Sequence, residues 1–99
     1  MKMVLDPSAN AEMRDAAFFY EGCRDGLGQE FLDAVELAFG EISQRPMIWR
    51  ILKGRFRRYL IHHFPYAVIY SIEDDTIYVV AIMHMKRKPD YWQDRVRDK

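Results

Sequence analysis

A histidine, several cations and two aromatic residues lie close together near the C-terminal end of the sequence. His84 is followed by Lys86, Arg87 and Lys88, and then by the pair Tyr91-Trp92. Cations bind phosphate oxygens, and histidine and tyrosine exchange protons, so the group has the side chains that metal-free RNA cleavage requires. Arginine, tyrosine and tryptophan also dominate protein interfaces. An aromatic pair of this kind can equally cover the edge of a sheet, because it buries so much apolar area.

The other two histidines, His62 and His63, are adjacent in a run with strand character. Neighbouring side chains of a strand point to opposite faces, so the two imidazoles cannot bind one metal ion together without distortion. One of them is a candidate general acid or base, because histidine titrates near neutral pH. A half-exposed histidine without a chemical role is the simpler interpretation. We predict no metal and no cofactor, since the sequence has neither a glycine-rich phosphate loop nor a nucleophile elbow.

The chain carries no net charge, but its charge is unevenly divided. Residues 1–49 have four Lys and Arg against nine Asp and Glu, a net charge of −5. Residues 50–99 have eleven against six, a net charge of +5. The basic residues concentrate in two groups, which are Arg50, Lys53, Arg55, Arg57 and Arg58, and then Lys86-Arg87-Lys88. A local positive field would attract an acidic protein or a nucleic acid, although a solvated rim that aids solubility explains the same pattern.

The elements that position these side chains begin with two helices. Met3-Val4-Leu5 is a candidate edge strand, and Asp6-Pro7 provides the capping carboxylate and first-turn proline of a helix. Apolar residues at helical spacing then predict a helix over about residues 8–22. A second apolar stripe from Leu27 to Ile42 predicts another helix, which Pro46 ends. The short glycine-containing link between them predicts an antiparallel helix hairpin.

The second half of the chain predicts β-structure. Residues 47–52 form a strand or an irregular crossing, and the stretch Arg57–Tyr70 predicts two strands with a bend at Phe64-Pro65. Thr76–Met83 predicts a third strand, whose two apolar faces are typical of a strand covered on both sides or of a sheet that docks a partner. Pro89–Arg97 predicts a short helix. The predicted fold class is α+β, in which an N-terminal helix hairpin packs on a small, mainly antiparallel twisted sheet (β-α-α-β-β-β).

Length and composition limit the remaining possibilities. The 99 residues, 49% of them hydrophobic, predict one globular domain over residues 1–99. No apolar run reaches the roughly 18–20 residues of a membrane helix, and the N-terminal apolar run is too short for a signal peptide. The single cysteine, Cys23, excludes an internal disulfide and fits a reducing compartment. We therefore expect a cytoplasmic protein that makes no membrane contact.

Motifs spread over nearly the whole chain resemble those of one family of small bacterial proteins. They are Tyr20, Gly26-Leu27-Gly28, Phe31-Leu32, Pro46, Arg57-Arg58, Phe64–Tyr70 and His84–Trp92. In this order they resemble the RelE/ParE superfamily of toxins from type II toxin–antitoxin systems. The resemblance implies a bacterial cytoplasmic toxin, neutralised by an antitoxin from the same operon, that reaches operator DNA only through the antitoxin.

The family includes two activities, and the resemblance favours one of them. RelE-like toxins cleave mRNA in the ribosomal A site without a metal, whereas ParE-like toxins inhibit DNA gyrase. RelE-like nucleases place three cations at positions that correspond here to Arg58, Leu60 and Ala67. Arginine binds phosphate but is a poor proton donor or acceptor, and a neutral chain is less suited to ribosomal RNA than a basic one. The resemblance therefore favours a ParE-like gyrase inhibitor.

Two alternatives stay open at this point, a metal-independent, ribosome-dependent endoribonuclease and a diverged member that only binds an antitoxin. For the nuclease, the candidate catalytic residues are His84, Arg87 and Tyr91. For target or phosphate binding, the candidates are Arg57, Arg58, His62, Lys86, Arg87 and Trp92. For acidic antitoxin residues, the candidates are Arg55, Arg57, Arg58 and Arg87. We expect an antitoxin segment that folds on docking in the groove beside the helix hairpin and the sheet.

Overall fold

Two helices and five strands make up the fold in the computed structural model, which describes residues 1–96. The elements are β1 (Lys2–Leu5), α1 (Pro7–Cys23), α2 (Leu27–Gln44), β2 (Arg50–Lys53), β3 (Phe56–Leu60), β4 (Tyr66–Glu73) and β5 (Thr76–His84). The predicted α+β class and helix hairpin are confirmed. Of residues 47–52, which the sequence left open between a strand and an irregular crossing, residues 50–52 belong to strand β2 and residues 47–49 are irregular. None of the helices within the described residues combines the length and apolarity needed to cross a membrane.

The five strands form one sheet in the order β1-β5-β4-β3-β2. The strand β1 pairs parallel with β5, and every other pairing is antiparallel. The predicted bend at Phe64-Pro65 separates β3 from β4, and Tyr66 at the start of β4 pairs with His84 at the end of β5. The side chains that follow β5 therefore leave the sheet at the same end as this bend.

The start of α1 is held by its capping carboxylate. Asp6 accepts a hydrogen bond from the backbone N–H of Ser8 at 2.8 Å and one from the hydroxyl of Tyr78 at 2.6 Å. Burial raises the pKa of Asp6, but these hydrogen bonds outweigh it and leave that pKa below its usual value. Because Tyr78 belongs to β5, the cap also fixes the helix to the sheet.

The sheet is covered on both faces. The helix hairpin covers one face. The buried core between them includes Phe31, Val35, Ile42, Tyr59, Val68, Tyr70, Ile77 and Ile82. On the other face, Phe56, Ile69, Val80 and Met83 pack against Trp92 and Val96 from the C-terminal segment. We call these the helix face and the tail face of the sheet. Strand β5, predicted to be covered on both sides, has buried residues on each.

Of the predicted C-terminal helix over Pro89–Arg97, only a single 3-10 turn forms within the described residues. The chain makes turns there and one 3-10 turn at Gln93–Arg95, and Arg97 lies outside the described residues. Successive backbone bonds join residues three apart, such as Arg95 N–H to the Trp92 carbonyl at 3.0 Å. So short a segment gains little from helical propensity. Its conformation is determined instead by the packing of Trp92 and Val96 against the sheet.

The two helices lie close together at Gly28, which gives a prediction with an internal control. A Cβ added at Gly28 would stand 2.6 Å from the backbone oxygen of Ala17, whereas one added at Gly40 of the same helix would meet nothing within 4 Å. We expect Gly28→Ala to lower the free energy of unfolding by about 1–3 kcal/mol, because the helices must separate. Gly40→Ala should raise it by about 0.5–1 kcal/mol through helix propensity. Urea denaturation measures both, and equal effects of the two substitutions would contradict this packing.

Candidate functional site

The three candidate catalytic residues come together at the end of β5. His84, Arg87 and Tyr91 line one open cavity of about 240 Å³, together with Glu12, Asp15, Ala16, Phe19, Tyr66 and Ile82. We call this the β5 cavity. It lies between α1 and the sheet, where the last strand exits. The chemistry that it permits depends on which of its polar atoms are already engaged.

Tyr91 is engaged with α1. Its hydroxyl donates to Glu12 Oε2 at 2.5 Å, and its ring lies 4.0 Å below the guanidinium carbon of Arg87. Burial raises the pKa of Tyr91, and the hydrogen bond to Glu12 raises that pKa further. The tyrosine therefore stays protonated near neutral pH and directs its proton at a carboxylate of its own chain. This geometry suits a structural residue better than a general acid.

His84 is also partly engaged. Its Nδ1 accepts a hydrogen bond from the backbone N–H of Lys86 at 3.0 Å, and its ring packs edge-on against Tyr66 with 4.9 Å between centroids. A neutral imidazole has one acceptor nitrogen and one donor nitrogen. Since the acceptor nitrogen is occupied, the ring offers Nε2 to a ligand as a hydrogen-bond donor. Lys86 and Arg87 are exposed beside it.

Glu12 connects the parts of this site, and the sequence interpretation missed it. Its Oε1 accepts the N–H of Ile82 at 3.0 Å, and its two oxygens accept Nη1 and Nη2 of Arg95 at 3.0 and 2.9 Å. Nη1 of Arg95 also donates to the carbonyl of Val80 at 3.0 Å. Strand β1 pairs with β5 only as far as Val79. The Glu12–Arg95 pair therefore supplies hydrogen-bond partners for the backbone N–H of Ile82 and the carbonyl of Val80, which lie beyond it. Glu12 lies at helical spacing between the buried residues Ala9 and Ala16, a signal that was available in the sequence.

Trp92, a predicted target contact, is buried. Its side chain is 1% exposed and packs against Phe56 with 4.8 Å between ring centroids. It cannot touch a macromolecular target in this conformation, so that prediction is wrong and the packing alternative is correct. Its indole Nε1 has no hydrogen-bond partner among the described residues.

The arginines predicted to bind the antitoxin do not share one surface. Arg57 lies on the helix face and donates from Nη1 to the carbonyls of Met47 and Trp49, both at 2.8 Å. Arg55 forms an ion pair of 3.5 Å with Glu73 at the end of β4. Arg87 lies at the opposite end of the sheet, beyond the start of β4. These arginines therefore do not form one basic surface, because strand alternation and strand length separate their side chains.

The two adjacent histidines lie in a turn and not in a strand. Strand β3 ends at Leu60, and His63 has a left-handed backbone with a φ of 69°. The strand-alternation argument applied to them is therefore wrong. His62 Nε2 lies 3.4 Å from the hydroxyl of Tyr59, which donates to Glu41 Oε2 at 2.7 Å. Burial raises the pKa of Tyr59 to about 12, with the bond to Glu41 adding to it.

Four further observations describe the surroundings of the site. Arg58 lies on the tail face opposite Arg50 of β2, and Phe18 and Phe19 of α1 are 84% and 63% exposed. Leu60 and Ala67 have apolar side chains, so neither of these positions supplies a cation; Leu60 is 52% exposed and Ala67 is fully buried. Within residues 1–96, no three His, Cys, Asp or Glu side chains are grouped closely enough to hold a metal ion.

A helix hairpin on a five-stranded, mostly antiparallel sheet, with a cation- and aromatic-lined cavity where the last strand exits, defines the class of RelE/ParE-like small α+β proteins. The sequence profile described as the ParE toxin of type II toxin-antitoxin system, parDE, matches residues 3–89. The chain therefore belongs to the ParE toxin family, and the resemblance noted from its motifs is confirmed.

A solved structure supports the fold. The chain is similar to one from the chromosomal ParDE TA system from P. aeruginosa, with a TM-score of 0.62 and 14% sequence identity. The match covers 87% of this chain and 97% of that one. At this identity the likeness shows the fold alone. A comparison with curated proteins gave no match.

Proposed function

We propose that this toxin arrests bacterial growth by binding and inhibiting DNA gyrase, and that it does not cleave RNA. The proposal rests on the observation that the polar atoms of His84 and Tyr91 in the β5 cavity already form hydrogen bonds within the chain. The hydroxyl of Tyr91 donates to Glu12, and Nδ1 of His84 accepts from the backbone of Lys86. RNA cleavage needs a group that removes a proton and a group that supplies one, and the acceptor nitrogen of His84 and the hydroxyl of Tyr91 are both engaged within the chain.

The missing cations support the same conclusion. Of the three positions that carry cations in RelE-like nucleases, only Arg58 is basic here, and Ala67 is buried in the sheet. Removing a single transition-state donor from an enzyme costs about 10²–10³ in rate. Two such losses leave little of the charge stabilisation that phosphodiester cleavage requires. A surface without this stabilisation can still bind a protein target.

The endoribonuclease is the second candidate, because His84, Arg87 and Tyr91 line one cavity. Inducible expression in bacteria distinguishes the two. Gyrase inhibition predicts filamentous cells with an induced DNA-damage response, and His84→Gln should leave the arrest unchanged. The nuclease predicts loss of translation with cuts in ribosome-bound mRNA, and His84→Gln should reduce cutting by about 10²-fold or more. Cuts in ribosome-bound mRNA that disappear with this substitution would overturn the proposal. Unaffected growth would identify a diverged member that only binds an antitoxin.

We also propose that a cognate antitoxin neutralises the toxin by covering the β5 cavity and the exposed side of α1 beside it. Phe19 lines this cavity, and Phe18 beside it on α1 is the most exposed large apolar residue of the described chain. Exposed apolar residues next to a cation are typical of a surface that binds an amphipathic, acidic segment. Arg87, exposed at the cavity rim, would meet an acidic residue of that segment.

Co-expression with the neighbouring small gene tests this docking site. We expect the two proteins to purify as a complex, and Phe19→Glu to weaken it by at least tenfold, because a charge would then enter an apolar contact. Leu37→Glu, an exposed apolar position on the other helix, is the matched control. A complex that tolerates Phe19→Glu and loses affinity with Leu37→Glu would place the antitoxin elsewhere.

A further inference from the structure

The outer edge of strand β2 is unpaired within the part of the chain that the structure describes. Strand β2 is the last strand of the sheet, hydrogen-bonded to β3 on one side only. The free N–H and C=O groups of an edge strand are a template for a further strand. This edge lies away from the β5 cavity, which is formed by β5, β4 and α1.

Large apolar side chains are exposed on and around this edge. Four of them are more than half exposed, and they are Met47, Ile48, Ile51 and Leu60. Apolar side chains that cluster at one place on a small protein mark an interaction site more often than isolated ones do. These four exposed apolar side chains lie in the segment before β2, in β2 itself and in the neighbouring strand β3. Such a cluster indicates an interaction surface and not an edge that only contacts solvent.

Two arginines stand next to each other on the same strand pair. Arg50 of β2 lies directly opposite Arg58 of β3, and neither takes part in a salt bridge among residues 1–96. Like charges at opposed positions repel each other. Together with Trp49, Tyr59, Leu60 and His62 they line a cavity of about 270 Å³. A carboxylate at this place would relieve the repulsion and accept charge-assisted hydrogen bonds from both guanidinium groups.

The two faces of the edge differ in chemistry. Arg50 shares the tail face with Arg58, and Lys53 lies on it too, since it pairs with the tail-face residue Phe56. Ile51 is opposite Arg57 and so lies on the helix face. Because side chains of a strand alternate between faces, a strand added beside β2 would meet cations on one face and an apolar surface on the other.

A second copy of this chain does not fit this edge. Pairing two β2 strands would bring Arg50 and Lys53 of both copies together, and the segment 49–58 contains no acidic residue to compensate them. Charged residues on edge strands protect proteins against such self-association. The same charges attract a strand that carries Asp or Glu.

We propose that β2 binds an extended acidic segment of a partner protein by strand addition. In that segment, Asp or Glu at every second position faces the tail-face cations Arg50 and Lys53 of β2, with Arg58 behind them on β3, and the apolar residues between them lie beside Ile51. The proposal concerns a surface separate from the β5 cavity and holds whichever protein the toxin inhibits.

The test uses the full chain and an acetylated, amidated peptide that alternates glutamate and valine, seven residues long, titrated by ¹⁵N NMR. We expect shifts confined to the amides of residues 49–53 and 56–60. The double substitution Arg50→Gln and Arg58→Gln should weaken binding at least tenfold. Arg14→Gln, which removes an exposed arginine of α1, should leave binding unchanged. A peptide N-methylated at every residue keeps its charges but cannot donate to the ladder in either register, and it should not bind.

Four outcomes would overturn the proposal. They are the absence of shifts at saturating peptide, shifts at the helix hairpin instead of β2, equal binding by the double variant, and equal binding of the N-methylated peptide. Two controls identify other occupants of this edge. A single-stranded oligonucleotide that displaces the peptide with higher affinity would assign the arginines to nucleic acid. Light scattering that shows a dimer disrupted by Ile51→Glu would assign the edge to a second copy.

Discussion

Replacing Trp92 with alanine is expected to lower the free energy of unfolding by about 3–5 kcal/mol, the range for large aromatic residues in protein cores. Trp92 is 1% exposed and anchors the C-terminal segment to the tail face through Phe56. Its removal leaves a cavity and frees the only segment that covers this face within the described residues. Guanidinium denaturation followed by circular dichroism measures the change.

The conservative variant Trp92→Phe separates packing from recognition. A phenyl ring fills much of the same space and removes the indole N–H that has no partner, so we expect Trp92→Phe to lose less than half as much stability as Trp92→Ala. If both substitutions left stability within about 0.5 kcal/mol of the native protein, as surface substitutions do, the side chain would not be buried. Its predicted role as a target contact would then be restored.

Replacing Glu12 with alanine is expected to lower the free energy of unfolding by about 2–4 kcal/mol. The substitution leaves the guanidinium of Arg95, the hydroxyl of Tyr91 and the N–H of Ile82 without their acceptor, and both members of the Arg95–Glu12 pair are four-fifths buried. Breaking a buried pair by removing one partner is strongly destabilising, because the other charge stays uncompensated. Asp15→Ala, an exposed acid of the same helix, should change stability by less than about 0.5 kcal/mol.

Two local measurements show whether Glu12 acts through these contacts. Because the bond to Glu12 raises the pKa of Tyr91, Glu12→Ala should move that pKa downward in an ultraviolet titration. The amide of Ile82 should also exchange with solvent faster, since its acceptor is gone. A loss of stability in which the pKa of Tyr91 and the exchange of Ile82 are both unchanged would contradict the contacts described here.

Local patterns in the sequence predict most of this fold. The helix predicted over about residues 8–22 is Pro7–Cys23, and the strand predicted at Thr76–Met83 is Thr76–His84. Helical spacing, the Asp6-Pro7 start and the Phe64-Pro65 bend act over a few residues, so they can be recognised without the rest of the chain. The parallel pairing of β1 with β5 joins residues more than 70 positions apart and has no local signal.

The site was less predictable than the fold, because several of its contacts join residues that are far apart in the sequence and have no local signal. His84, Arg87 and Tyr91 follow one another along the chain, and the sequence correctly indicated that they lie near each other. The contact between Glu12 and Arg95 spans 83 positions, so it appears only once the C-terminal segment crosses the sheet. The separation of Arg55 from Arg87 is likewise a property of the sheet, because strand register decides where each side chain lies.

DNA supercoiling by purified gyrase is the measurement that tests the proposed function most directly. Gyrase is assayed on relaxed plasmid with increasing concentrations of the purified toxin, and then with the toxin bound to its co-expressed antitoxin. We predict that the toxin inhibits supercoiling in proportion to its concentration, that His84→Gln inhibits equally well, and that the antitoxin complex does not inhibit. Undiminished supercoiling at toxin concentrations well above that of gyrase, with the toxin still folded and able to arrest cells, would contradict the account.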